Sequence, residues 1–193
     1  MKANTDETKF RWFLEKMKLG LLDMVEEGDE QGFPMTATLI LAGEERISLI
    51  LPFSEEEKNR VYKMLEVLLV FTRSKGFCVT TEVWTTESET PDKPKIMPRL
   101  DPTRTSGFIQ LIIYDKNTTM RMYKYENGEL LERPEPKSFE TIFQRIYDNA
   151  QAMIEKEDPP CMENIDHFIG GMRGLCNNLN LNFAQVGIRN DSD

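Results

Sequence analysis

Glu82 is the residue whose type and position most suggest chemistry, because it is a carboxylate within a strand-like run rich in Val, Thr and Trp. On such a strand Thr80 and Trp84 share its face, so the carboxylate is either solvated or paired. If it is buried, it could act as an acid or base. We favour a structural interpretation, in which Glu82 pairs with a basic residue of the following loop, Arg99 or Arg104.

The loop that follows, from Glu87 to Ser106, is about twenty residues long, which is unusual for a compact domain. Prolines interrupt it, its first half is acidic, and its second half mixes lysine and arginine with apolar side chains. A flexible linker would lack the apolar segment that includes Ile96, Met97 and Pro98. We predict that Glu82 anchors the base of the loop and that this segment contacts a protein partner; a loose hairpin extension is the alternative.

Other catalytic chemistries have little support in the sequence. His167 is the only histidine, and Cys78, Cys161 and Cys176 stand far apart, so no zinc-type ligand pattern is present. A Cys161–His167 or Cys176–His167 pair and an all-carboxylate magnesium site stay open as alternatives. The glycines near residue 170 lack the spacing of a phosphate-binding loop. The sequence therefore predicts no catalytic residue, no metal and no cofactor.

The composition fits one cytoplasmic domain. At 193 residues the chain is long enough to bury a core without disulfides or metals. Its net charge of -9 disfavours nucleic acid and anionic membranes as partners. It has neither a long apolar run nor a signal-like start, and its three cysteines are an odd number at long spacings, which is typical of a reducing compartment.

Hydrophobic periodicity predicts both helices and strands. The predicted helices cover Thr8 to Glu26, Ser54 to Arg73 and a last segment from Ser138 to before Pro159, and the predicted strands cover residues 33–42, 46–53, 77–86, 107–115, 120–125 and, at an edge, 129–132. Ser54 and Glu57 form a capping box that should begin the central helix. The strand–helix–strand order suggests a right-handed crossover that makes the second and third strands parallel.

These elements predict an α/β (α+β) fold. Residues 1–158 are expected to form a single domain with a mixed sheet of five or six strands, in the order α-β-β-α-β-β-β-(β)-α. Residues 159–193, rich in Gly and Asn, are expected to form a tail that docks or is partly ordered. The greatest burial is predicted at Leu39, Leu41, Leu49, Leu65, Leu68, Val79, Val83, Leu111 and Ile113.

Short motifs follow one another in the middle of the chain, namely Phe33-Pro34-Met35-Thr36-Ala37, Pro52-Phe53-Ser54 with Lys58, Thr81-Glu82-Val83-Trp84, and a Pro and Arg stretch before two strands. Over about residues 33–131 this arrangement resembles a family of small uncharacterised bacterial and phage α/β proteins. The resemblance implies the order of the elements and implies no activity.

Three classes of function are consistent with the sequence. We favour a non-enzymatic protein-binding or adaptor module of a bacterium or phage, with an unknown protein partner and a homodimer as one candidate assembly. The first alternative is an acidic dimeric chaperone of the secretion type, which the low pI and the methionine content suggest. The second is a small hydrolase that uses Glu82 and the loop arginines.

Overall fold

The computed structural model describes residues 5–27, 35–40, 46–51, 56–85, 105–115, 117–133, 142–159, 161, 165–181, 183 and 187–190. The helices are α1 (Thr5–Glu27), α2 (Lys58–Thr72), α3 (Ile142–Glu157) and α4 (Ile165–Leu179), and the strands are β1 (Met35–Ile40), β2 (Arg46–Leu51), β3 (Gly76–Thr85), β4 (Thr105–Tyr114), β5 (Asn117–Glu126), β6 (Glu129–Arg133) and β7 (Gly187–Asn190). The predicted α+β class and the predicted order of elements are confirmed.

The strands form one seven-stranded sheet in the order β6-β5-β4-β3-β1-β2-β7, and each neighbouring pair is antiparallel. The sheet differs from the prediction in two respects, because it is wholly antiparallel rather than mixed and has seven strands rather than five or six. The strands β2 and β3 do run in the same direction, but β1 lies between them and pairs antiparallel with both. The connection through α2 therefore passes over β1, and the seventh strand comes from the segment after residue 158.

Helices cover both faces of the sheet, so the fold has three layers. The main core lies between the sheet and α2, α3 and α4, and smaller apolar clusters lie between the sheet and α1. Among the predicted core residues, Val83 is only partly buried and Leu41 lies outside the described residues; the others are buried. Within the described part of the chain, no helix combines the length and apolar character needed to cross a bilayer.

The helix α1 forms because apolar residues recur at intervals of three and four, which places them on one side. Its first half buries Phe13 and Met17 against the ends of β1 and β4. Its second half buries Leu21 against Phe108 and Tyr123, near the far end of the sheet. The helix thus crosses the sheet diagonally, and the predicted span of Thr8 to Glu26 is confirmed to within a few residues.

The helix α2 begins later than the capping box predicts. Its N-cap is Glu57, which makes no side-chain capping bond, and Ser54 lies outside the described residues. At the other end Arg73 takes a left-handed conformation with φ of 47°, a role that glycine usually fills. The guanidinium of Arg73 donates to Asp158 and to the carbonyl of Pro159, so the end of α2 is tied to the end of α3.

Gly76 is the first residue of β3. A Cβ atom at this position would lie 2.5 Å from Ile40 Cδ1 and 3.2 Å from Phe13 Cζ. A side chain here would first displace the end of the Ile40 side chain on β1, with Phe13 of α1 close behind it, so packing rather than a turn favours glycine at this position.

The segment after residue 158 contributes to both the core and the sheet. The helix α4 buries Phe168, Met172 and Cys176 in the main core, and β7 pairs with β2. The boundary between a domain at residues 1–158 and a tail at 159–193 stays a prediction.

Candidate functional site

Two of the residues singled out by the sequence, Glu82 and Trp84, lie on β3, where Glu82 pairs across the sheet with Phe108. Alternation along the strand places Glu82 on the face that α1 covers. The side chain of Glu82 is partly buried and has an interaction partner. The loop residues Arg99, Arg104, Ile96, Met97 and Pro98 lie outside the described residues, so the anchoring of the loop and its contact with a partner stay predictions.

A row of polar side chains crosses the sheet beneath α1. Thr36 of β1 pairs with Thr80 of β3, which pairs with Gln110 of β4, which pairs with Arg121 of β5. Gln110 Nε2 donates to the carbonyl of Met17 at 2.9 Å and to Thr80 Oγ1 at 3.2 Å. The glutamine therefore joins the first helix to the sheet by a buried hydrogen bond, which fixes where α1 lies on the strands.

Two buried oxygens in this row, Thr36 Oγ1 and Gln110 Oε1, have no hydrogen-bond partner among the described residues. Both belong to neutral groups, and a hydroxyl and an amide that are buried in this way commonly bind an internal water molecule. The hydrogen bond from Gln110 to Met17 is the structural role that the row shows.

Cys78 lies beside this row and is a poor candidate for a nucleophile. Its thiol is fully buried, with Sγ 3.8 Å from Thr80 Oγ1. Burial raises the pKa of Cys78 to about 12, and the contact with Thr80 offsets only part of this effect. The reactive thiolate is therefore scarce at neutral pH.

Arg121, the last member of the row, lies beside β6 at the edge of the sheet. Arg121 Nε is 3.7 Å from the Glu132 carboxylate. Burial alone would lower the pKa of Arg121, but the neighbouring Tyr123, Glu132 and Glu15 raise it above its ordinary value. Burial raises the pKa of Tyr123, and the nearby guanidinium offsets part of that rise. The Tyr123 hydroxyl lies near this guanidinium but makes no well-aligned hydrogen bond within the described residues.

Cys176 and His167, one of the two cysteine–histidine pairs considered for catalysis, both lie in α4 but are not close to each other. Cys176 is buried and its thiol faces Met64 Sδ at 3.9 Å, whereas His167 is exposed. Nine residues separate them, which places them on opposite sides of a helix.

Across the described ranges, no group of three or more His, Cys, Asp or Glu side chains could hold a metal ion.

A different surface has the properties of a binding site, and we call it the open face. It consists of the apolar side chains of Val83, Ile109, Met122 and Leu131, which alternation and register place on the same face as the main core. Within the described part of the chain, none of the four belongs to that core or packs against it. They are partly buried or exposed, and Leu131 at the sheet edge is 40% exposed.

Two basic side chains lie within the open face. Register places Lys124 opposite Leu131, and Arg133 opposite Met122. Lys124 Nζ is 3.3 Å from the Glu126 carboxylate, and Arg133 is exposed. Glu126 and Glu129 lie on the same face at the turn between β5 and β6, so the surface combines four apolar side chains with a border of both charges, in which Arg133 lies beside Met122.

Sequence reasoning did not identify the open face as a site. The available signals were Met120 and Met122 on one face of a strand, and the adjacent pair Leu130 and Leu131 on a short edge strand. Only one leucine of such a pair can face a given layer, so the other must lie on the opposite surface.

No protein-family model, no curated protein and no solved structure matches this chain.

Proposed function

We propose that this chain is a non-enzymatic, cytosolic protein-binding module of bacterial or phage origin, and that the open face binds an amphipathic helix of a partner protein. The observation that carries the proposal is the open face itself, where four apolar side chains lie on the sheet beyond the core beneath α2, α3 and α4. The resemblance to bacterial and phage proteins supports the proposed origin. Ile96, Met97 and Pro98 stay sequence-based candidates for the same contact.

The rest of this face suggests which kind of partner fits. Helices cover the remainder of the same sheet surface, and their apolar stripes pack on its core side chains. A helix from a partner would extend this layer over Val83, Ile109 and Met122. Because Arg133 lies opposite Met122, whereas Lys124 is paired with Glu126, a matching helix carries a carboxylate where it passes Arg133.

Two of the polar groups beneath α1 support a non-enzymatic function. Gln110 fixes the first helix to the sheet, and burial suppresses ionisation of the Cys78 thiol. A hydrolase based on Glu82, with Arg99 or Arg104, stays an alternative. It requires that a Glu82→Gln variant lose a measurable activity while its thermal stability is retained.

An acidic chaperone of the secretion type is a second candidate, and one observation favours it. Large apolar side chains are exposed on separate parts of the surface, including Trp12, Leu131 and Met153, on a chain with net charge -9. Such a chaperone would bind an extended, unfolded segment of one secreted protein. An adaptor would bind a folded helix, so competition by a stapled helical peptide, compared with its unstapled form, separates the two functions.

The test uses a pair of matched variants. Leu131→Asp places a charge on the open face, and Met153→Asp places the same charge on α3, where the side chain is 37% exposed and therefore comparable. Proteins captured from a bacterial lysate by the wild type would be identified by mass spectrometry, purified, and titrated against all three proteins by calorimetry. We expect Leu131→Asp to weaken binding at least about tenfold and Met153→Asp to leave it unchanged. Equal affinity of all three proteins for every purified partner would refute the proposal.

A further inference from the structure

The outward side of α1 carries two large apolar side chains. Trp12 and Leu19 are 46% and 53% exposed. Seven residues separate them, so they lie roughly 20° apart around the helix axis and about 10 Å apart along it. This direction is opposite to the side that buries Phe13, Met17 and Leu21. We call Trp12, Glu15, Lys16 and Leu19 the outer stripe.

A single exposed apolar residue is common on a protein surface and needs no explanation. The outer stripe differs because a tryptophan and a leucine are aligned at the centre of one helix face. Tryptophan is enriched among the residues that dominate binding energies at protein interfaces. Between the two apolar residues lie Glu15 and Lys16, which carry opposite charges and flank the centre of the stripe on its two sides.

We propose that the outer stripe binds the outer stripe of a second copy of this chain, with the two α1 helices running in the same direction. In this two-fold arrangement Trp12 contacts Trp12 of the other copy, and Leu19 contacts Leu19. The two-fold axis of this dimer is parallel to the two α1 helices. The left flank of one outer stripe therefore faces the right flank of the other. Glu15 of each copy then lies opposite Lys16 of the other, so the charges are complementary at both flanks.

The opposite orientation is less favourable on electrostatic grounds. When two identical helices run antiparallel about a two-fold axis, the same flanks face each other. Glu15 would then approach Glu15, and Lys16 would approach Lys16. The parallel arrangement also places the exposed Asp23, one turn beyond Leu19, opposite Asp23 of the other copy, whereas antiparallel helices would place it opposite Thr8. The two Glu15–Lys16 contacts outnumber this one like-charged pair, so the charge pattern favours the parallel arrangement.

The size of the contact sets its strength. The helix α1 has 23 residues and is therefore about 34 Å long. One helix pair of this length buries less than the roughly 1,600 Å² of a standard stable interface. We therefore expect a dissociation constant in the micromolar range, so that the dimer forms and separates with concentration.

This inference goes beyond the proposed function, because it concerns other residues on the opposite side of the sheet. The helix α1 and the open face lie on different faces, so a dimer through the outer stripe leaves two open faces accessible. A partner with two binding helices would then be held more tightly than a partner with one. Failure of dimerisation would leave the affinity of one open face unchanged, so the two proposals fail separately.

The test is sedimentation equilibrium of the full chain from about 1 µM to about 500 µM, a range that brackets a micromolar constant. We expect the wild type to change from one to two chains per particle, and Leu19→Asp to remain monomeric. Met153→Asp serves as the control, because it adds the same charge to an exposed apolar position on α3, and it should dimerise like the wild type.

A charge exchange tests the orientation. Lys16→Glu should raise the dissociation constant of the dimer at least about tenfold, because each introduced carboxylate faces Glu15 of the other copy. The exchange of both residues (Glu15→Lys with Lys16→Glu) should restore the dissociation constant to within about threefold of the wild-type value. Lys16→Glu is the more specific single variant, since Glu15 also contributes to the charge around Arg121. A wild type that is monomeric at every concentration, or a double exchange that does not restore the dimer, would overturn the proposal. Thermal melts of each variant confirm that it is folded.

Discussion

Truncation of Leu68 measures how central α2 is to the fold. Leu68 lies within α2, is 1% exposed and belongs to the main core. The change to alanine removes three carbon atoms, which at about 0.8 kcal/mol each corresponds to about 2.4 kcal/mol of lost transfer free energy. Incomplete collapse around the vacated volume adds to this loss, so Leu68→Ala should destabilise the protein by about 3 to 4 kcal/mol.

The assay is urea unfolding followed by circular dichroism, with the m-value checked for constancy across variants. Leu131→Ala is the matched control, because it removes the same atoms from the open face, where the side chain is 40% exposed. That variant should lose less than about 1 kcal/mol. A loss below about 1 kcal/mol for Leu68→Ala would contradict the central position of α2. An equal loss for both variants would show that the open face is part of the core.

Two further changes test the buried polar groups. Tyr123→Phe should lower the free energy of unfolding by less than about 0.5 kcal/mol, because the Tyr123 hydroxyl makes no well-aligned hydrogen bond within the described residues. Tyr147→Phe should lower it by about 1 kcal/mol, because the Tyr147 hydroxyl donates to the Lys75 carbonyl at 3.2 Å. A larger loss for Tyr123→Phe than for Tyr147→Phe in urea unfolding would contradict these contacts. Stability should fall as pH rises above 9, because the unfolded Cys78 thiol loses its proton from the ordinary pKa of 9.0 whereas the folded thiol keeps it until about 12. Burial also raises the pKa values of Cys176, Tyr123 and Tyr147, so Cys78→Ala should lose stability in this range as well. The wild type should lose more than Cys78→Ala, by an amount that approaches about 1.4 kcal/mol per pH unit within that window, and parallel pH profiles of the two proteins would contradict the burial of the Cys78 thiol.

Local sequence patterns predicted much of the fold because they depend on neighbouring residues. The apolar spacing of α1 predicted its length and its buried side, and alternation in β1 and β4 predicted buried residues such as Leu39 and Leu111. The same patterns do not state which strands are neighbours. The position of β1 between β2 and β3 is set by long-range pairing, which periodicity does not encode.

The candidate site was less predictable for a related reason. Glu82 stands out in the sequence because a charged residue interrupts a strand, but its neighbour across the sheet, Phe108, belongs to another strand and is set by long-range pairing. The open face depends on where the helices lie on the sheet, and that arrangement is a property of the assembled layers. The beginning of α2 was predicted four residues too early, because the capping-box pattern is short and recurs outside helix starts.

The measurement that most directly tests the open face is hydrogen–deuterium exchange of the full chain with and without a purified partner. We expect the partner to slow exchange at the amides of β6, from Glu129 to Arg133, and at the adjoining part of β5, with β7 and α3 unchanged. The same experiment with Leu131→Asp should show no such protection at the same partner concentration. Protection confined to α1 or α3, with the exchange of β6 unaltered, would contradict the proposal that partners bind at the open face.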